Sequence, residues 1–274
     1  MVTRENYNQR EVEACKSVLI ELVHLLDQHK DALVLVGGWV PPLLYSNSAH
    51  EHVGSIHIDL ALDHLIDEAT YETIKTALIE RNYTEGSQPF IFFRDVPVPG
   101  GNPIKVEVNF LAGQYGGTGK SHRTQTFQDI KPRKARGCDL AFENFETVII
   151  EGTLPEGGID RVSCRIAAIV PFIVMKGMAL ADRLKEKDAW DIYFCLKHHP
   201  EGLDGLVDLF RDHLGHGLVL EGLQKISEKF ESPDHVGPTH VADFEAIEDK
   251  DERALKKRDA FERVDHLLRK LGVR

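Results

Sequence analysis

The 274-residue chain carries 44 acidic against 33 basic residues, a formal charge of −11 at pH 7. That excludes attraction of the whole surface to nucleic acid or anionic lipid and leaves room only for a local polyanion site. With 42% hydrophobic residues and 12 prolines the composition is globular, and the four scattered cysteines, Cys15, Cys138, Cys164 and Cys195, contain no Cys-x-x-Cys pair, which suggests neither a zinc knuckle nor a disulfide framework and fits a reducing cytoplasm.

Met1 to Asn6 form no apolar run, so an unsecreted protein is expected. Glu11 to His29 repeats apolar residues at helical spacing (Val18, Leu19, Leu22, Leu25, Leu26), and the short apolar run Leu33 to Val36 then reads as a buried strand ending at the pair Gly37-Gly38. Pro41-Pro42 fit only the first turn of a helix, so a short helix is expected over Trp39 to Tyr45, before a polar loop from Ser46 to Gly54. Ser55 to Asp63 alternates, with Ile56, Ile58, Leu60 and Leu62 on one face and His57, Asp59, Ala61 and Asp63 on the other.

Glu68 to Arg81 reads as a helix, Phe90 to Arg94 as a strand, and Ile104 to Leu111 as an alternating strand with Lys105, Glu107 and Asn109 opposite its apolar face. Residues 113–137 hold Lys120, Arg123, Lys131, Arg133, Lys134 and Arg136 against Asp129 alone. This is the one clear basic concentration, either a solvated loop or a contact for RNA or nucleotide phosphates. Short strands over Thr147 to Glu151 and Val162 to Ile166 precede a change to helical period from Ala167 onward. The apolar stretch Ile166 to Ala181 is interrupted by Pro171 and Lys176, so no membrane span is expected. The expectation is an α+β fold, a mixed sheet with flanking helices over residues 1–165, followed by a helical domain over 166–274.

Two constellations could carry chemistry. A glycine pair after a buried strand lets backbone N–H groups approach phosphate oxygens. His57 and Asp59 share a strand face that Glu107 could join from a neighbouring strand, a set that either decorates a solvated sheet face or holds divalent ions. In the helical half, Lys176, Arg183, Lys187 and Asp191 would fall on one stripe if the helix were continuous, with Asp188 about a third of a turn away. Lys176 lies among Phe172, Ile173, Val174, Met175 and Met178, where a lysine is paired or binds an anion more often than it stands idle.

The run Val34-Leu-Val-Gly-Gly-Trp39, the segment His52 to Asp63, Lys176, and Lys187-Asp-Ala-Trp-Asp-Ile-Tyr193 together resemble the AbiEii/AbiGii-type nucleotidyltransferases, over roughly residues 30–200. These belong to the DNA polymerase β-like superfamily and include toxins of toxin–antitoxin systems. The resemblance implies a nucleotidyltransferase-type mixed sheet and metal-dependent transfer of a nucleotidyl group from a nucleoside triphosphate to an RNA, such as tRNA, or to a protein acceptor. The toxin members of the family make a cognate antitoxin an expected partner, while the cysteine usage and the interrupted apolar stretch set the expectation of a cytoplasmic location and no membrane association. The resemblance assigns Gly37, Gly38 and Ser55 to phosphate contact, Asp59 to metal, Glu107 to the third carboxylate, Lys176 to the nucleotide phosphates, Asp191 to the essential helical acid and Asp188 to its companion.

The chain departs from the family where aspartate is expected and His57 stands. Magnesium (Mg2+) prefers an all-oxygen shell, whereas an imidazole suits manganese (Mn2+) or zinc better. A catalytically weakened or inactive relative that binds nucleotide or a protein partner is the alternative. Gly119-Lys120-Ser121 lacks the upstream glycine of a P-loop, since position 114 is Gln114. His50, His52, His57, Asp59, Asp63 and His64 are dense enough to raise a zinc hydrolase, although His64 points away from the face that His57 and Asp59 share.

Overall fold

The structure, a computed structural model, describes residues 1–46, 48–63, 68–113 and 133–274, with the backbone alone for 68–72 and 133. Lys120, Arg123, Asp129 and Lys131 of the basic segment, the Gly119-Lys120-Ser121 run and His64 lie outside the described residues. Among the described residues no helix is long and apolar enough to cross a membrane.

The fold is α+β. Helix α1 (Gln9–Leu25) starts where the Asn8 side chain accepts the Glu11 N–H at 3.0 Å, and it lays Ala14, Cys15, Val18, Leu19 and Leu22 into the core. Strand β1 (Leu33–Val36), buried throughout, runs into a 3-10 turn over Gly37–Trp39 and then α2 (Val40–Leu44), whose two prolines sit where no intrahelical N–H is needed. Strand β2 (His57–Leu62) buries Ile58, Leu60 and Leu62, as its alternation predicts. Then follow α3 (Glu68–Glu80), β3 (Thr84–Glu85), β4 (Ile91–Val96), β5 (Ile104–Ala112), β6 (Arg133–Lys134), α4 (Leu140–Glu143), β7 (Phe145–Thr153) and β8 (Ile159–Ala167).

The strands form one mixed sheet in the order β3-β4-β5-β2-β1-β8-β7, with β6 continuing beside the end of β5. Strand β1 is antiparallel to β2 and parallel to β8, and β2 is parallel to β5. Helix α1 packs against β5, β7 and β8. The last two strands outgrow the short runs expected from sequence and form a nine-residue hairpin in continuous register from Phe145↔Ala167 to Thr153↔Ile159.

The rest of the chain is helical: α5 (Ile169–Arg183), α6 (Glu186–His198), α7 (Gly202–Arg211), α8 (Gly217–Lys229), α9 (Val236–Phe244) and α10 (Lys250–Lys270). Helices α5 and α8 approach so closely that a Cβ on Gly177 would lie 2.8 Å from the Gly222 carbonyl oxygen. Two compact units result. One comprises Asn8–Leu43 and Gly54–Ala168 and holds the sheet; the other comprises Met1–Tyr7, Leu44–Val53 and Ile169–Arg274 and holds the helices. The helical unit thus takes in two stretches from the first fifth of the chain.

Candidate functional site

In the sheet unit the antiparallel register sets Val36 beside Asp59, so the turn that begins at Gly37 opens against the Asp59 carboxylate. Gly37 has φ +75°, and a Cβ there would lie 2.3 Å from Asp59 Oδ2. Only glycine allows both the conformation and the approach. Gly38 is buried in the same turn.

His57 and Asp59 lie on one face of β2, with His57 Nε2 at 3.4 Å from Asp59 Oδ2 and both side chains partly exposed. The parallel register with β5 brings Glu107 beside His57 and Asn109 beside Asp59. Asn109, itself buried, donates from Nδ2 to Asp59 Oδ1 at 3.2 Å and to Glu107 Oε1 at 2.9 Å. A neutral amide therefore bridges the two carboxylates.

Among the described residues no three His, Cys, Asp or Glu side chains converge on a point that would hold a metal ion. Of the expected set His57, Asp59 and Glu107, the first two stand in chelating proximity, and Glu107 is tied to them through Asn109. The mixed nitrogen and oxygen donors fit a divalent ion that accepts imidazole, such as manganese or zinc, better than magnesium. Ser55 is buried and its hydroxyl donates to the His57 carbonyl at 2.9 Å, so it braces the entry to β2, and a phosphate contact would require that bond to open.

In the helical unit the expected continuous stripe does not exist. Leu184, at φ +49°, and Lys185 break the chain between α5 and α6, and it is the packing of these two helices that gathers the charged residues. Lys176 Nζ donates to Asp188 Oδ1 at 2.9 Å and lies 2.6 Å from Asp191 Oδ2. Lys187 Nζ reaches Asp191 Oδ1 at 2.7 Å, and Arg183 forks onto Asp188 at 2.7 and 2.8 Å.

His52, which sequence reasoning treated as a loop residue or zinc ligand, is fully buried here with Nε2 at 2.9 Å from Asp191 Oδ1. Its ring packs on Trp190 and Phe194, both buried in the core. His50 stacks on His198 with ring centroids 4.2 Å apart, and among the described residues neither His50 nor His52 joins a group of three side chains that could hold a metal ion. Tyr7 completes the surroundings, its ring 5.2 Å from Lys187 Nζ.

Burial and charge pull these groups apart in pKa. Burial opposes the charge of Lys176, but Asp188 and Asp191 outweigh it and hold Lys176 above the ordinary lysine value. Burial dominates at Lys187, whose value falls to about 8 despite Asp191. Asp191 stays well below the carboxylate range because Lys176, Lys187 and His52 override its burial. Burial first and Lys187 second push His52 down to about 4, so it is neutral near pH 7 and donates its Nε2 proton to the Asp191 carboxylate.

A pH dependence follows. Between the ordinary histidine value of 6.5 and about 4, an unfolded chain protonates His52 while the folded chain does not. The unfolded state binds more protons there, so stability falls as pH drops through that window, by about 3 kcal/mol at 1.4 kcal/mol per pH unit. Asp188 and Asp191, held low, add their own loss only at lower pH, below the ordinary value of 3.8. Urea midpoints of wild type should fall between about pH 7 and pH 4.5, and His52→Gln should flatten that fall. An equally steep fall in the variant would assign it to other groups.

No protein-family model and no curated protein matches the chain. Among solved structures it is similar to JHP933 from Helicobacter pylori, at 15% identity with 93% of both chains covered and a TM-score of 0.38. It is also similar to a protein described as a candidate nucleotidyltransferase from H. pylori, at 16% identity with 93% of this chain and 96% of that one covered, again with a TM-score of 0.38.

Proposed function

We propose that the chain is a metal-dependent nucleotidyltransferase of the AbiEii toxin-like kind, moving a nucleotidyl group from a nucleoside triphosphate to an RNA or protein acceptor. The observation that carries this reading is the side-chain-free turn at Gly37, pressed onto the Asp59 carboxylate beside His57. A turn held against a carboxylate by a contact that only glycine permits, with its backbone N–H groups beside Asp59 and His57, suits a triphosphate with its counter-ion. A bound divalent ion supplies charge neutralisation for the phosphates and polarisation of the phosphorus under attack.

In this reading Asp59 and His57 hold the ion, and Asn109 fixes the carboxylate of Asp59 against that of Glu107. The turn at Gly37 and Gly38 offers backbone N–H groups to the phosphates. Asp191 accepts from Lys176, Lys187 and His52 and stays ionised far below neutral pH, which suits an orienting residue rather than a general base. Lys176 is bound by both Asp188 and Asp191, so its assignment to nucleotide phosphates is the part of the resemblance least served by the side chains. A cytoplasmic location and a cognate antitoxin belong to the same reading.

A second reading, a catalytically weakened protein that still binds nucleotide, is favoured by the Asn109 amide bridging the two carboxylates. Calorimetric titration of ATP, GTP, CTP and UTP with magnesium and then manganese separates the two, followed by label transfer from the nucleotide that binds. Tighter binding with manganese, weakened about tenfold or more in Asp59→Asn, together with transfer, supports the enzyme. Binding without transfer, rescued with magnesium in His57→Asp, supports the weakened relative, and absence of binding under either metal rejects both.

A further inference from the structure

We propose that the chain forms a symmetric dimer by antiparallel pairing of β7 with β7 of a second copy, centred on Ile149. Strand β7 closes one end of the sheet, and among the described residues no strand pairs with its outer side. At nine residues it is as long as any strand in the sheet. Its register with β8 has no bulge, and it contains neither proline nor lysine, two of the devices that commonly keep an edge from recruiting another strand; its charges are Glu146 and Glu151 alone.

The flanking bonds fix which backbone groups face outward. Ala168 donates to the Asn144 carbonyl and Leu154 to the Gly158 carbonyl, so the even-numbered residues of β7 bond to β8. The N–H and C=O groups of Phe145, Thr147, Ile149, Glu151 and Thr153 therefore point away from the sheet. The same residues share the face turned away from the buried Ile150. Ile149 is 56% exposed, Phe145 39%, and Ile159, across from Thr153 on β8, 78%. An apolar stripe thus lies beside a row of open hydrogen-bonding groups.

Self-complementarity selects a second copy as the occupant. Antiparallel pairing about Ile149 matches every residue of β7: Phe145 with Thr153, Glu146 with Gly152, Thr147 with Glu151, Val148 with Ile150, and Ile149 with itself. The outward groups meet outward groups, and no carboxylate faces a carboxylate. A slip of one residue in either direction would set inward-bonded residues against outward ones, and in one direction it would also set Glu146 against Glu151. The centre, Thr147 to Ile150, is entirely β-branched, the composition that favours strand pairing.

The test uses the full chain. Light scattering after size exclusion should give a dimer mass at tens of micromolar. Ile149→Pro, which removes an outward N–H and leaves the β8 ladder intact, should give a monomer with unchanged circular dichroism. Should that variant misfold, cysteine pairing decides. Ile149→Cys should cross-link between copies under mild oxidation, two thiols giving one disulfide, because position 149 faces itself at strand-pair distance. Thr147→Cys should not, its two copies lying four positions apart along the paired strands. The native cysteines are buried and give little background. A wild-type monomer at hundreds of micromolar, or cross-linking equal at both positions, overturns the proposal.

Discussion

Asp191→Ala is expected to destabilise the protein by about 3–5 kcal/mol, a large share of the roughly 5–15 kcal/mol that holds a typical domain together. Asp191 is fully buried and is the shared acceptor for Lys176, Lys187 and His52. Its removal leaves Lys187 without the one carboxylate that lies on it, in surroundings that already disfavour its charge enough to bring its value to about 8. Lys187→Met should cost about 1 kcal/mol or less, because burial of that ammonium more than offsets its attraction to Asp191 and Lys176 still neutralises the carboxylate. Denaturant unfolding of both variants measures the contrast. Equal losses would show that Asp191 is not the organising charge of the cluster.

Gly37→Ala carries the second large effect. The left-handed conformation at φ +75° costs an alanine about 1–2 kcal/mol, and the new methyl group must also push the Asp59 carboxylate from 2.3 Å to ordinary contact, a shift of roughly 1 Å. Displacement on that scale at a reacting centre costs on the order of 100-fold in rate. Gly157, at φ +92° with open space around it, is the control, since Gly157→Ala imposes the same kind of backbone strain without the collision. If Gly37→Ala loses nucleotide binding or transfer and Gly157→Ala does not, the contact with Asp59 is responsible. Equal behaviour would remove the turn from the site.

Much of the sheet was legible from period alone. Val36 followed by two glycines marks the end of β1, and the alternation from Ile56 to Leu62 marks both β2 and the face on which His57 and Asp59 stand, because burial on one side of a sheet imposes a period of two. The ends of β7 and β8 were not legible, since Phe145 and Ile159 are exposed and break the burial pattern that identifies a strand. The break between α5 and α6 was hidden too. It is made by Leu184 in a left-handed conformation, and neither glycine nor proline announces it.

The candidate site was legible as a set of residues more than as an arrangement. Lys176, Asp188 and Asp191 do meet, through helix packing rather than along one stripe. His52 gave no sign in sequence, because a histidine in a polar loop reveals nothing about a carboxylate 139 residues away. Asn109 was visible on the face shared with Glu107, yet its place between two carboxylates depends on the parallel register of β2 and β5, which no local pattern encodes.

The interleaved make-up of the two units bears on how the chain acquires its structure on the ribosome. Tyr7 and the stretch Leu44–Val53 emerge early, but the helices that receive them are synthesised only after Ala168. Until then His52 and Tyr45, which packs on Phe194, remain without the residues that bury them. The sheet can close while synthesis continues, whereas the charged cluster around Asp191 forms late, from pieces held apart in time as well as in sequence.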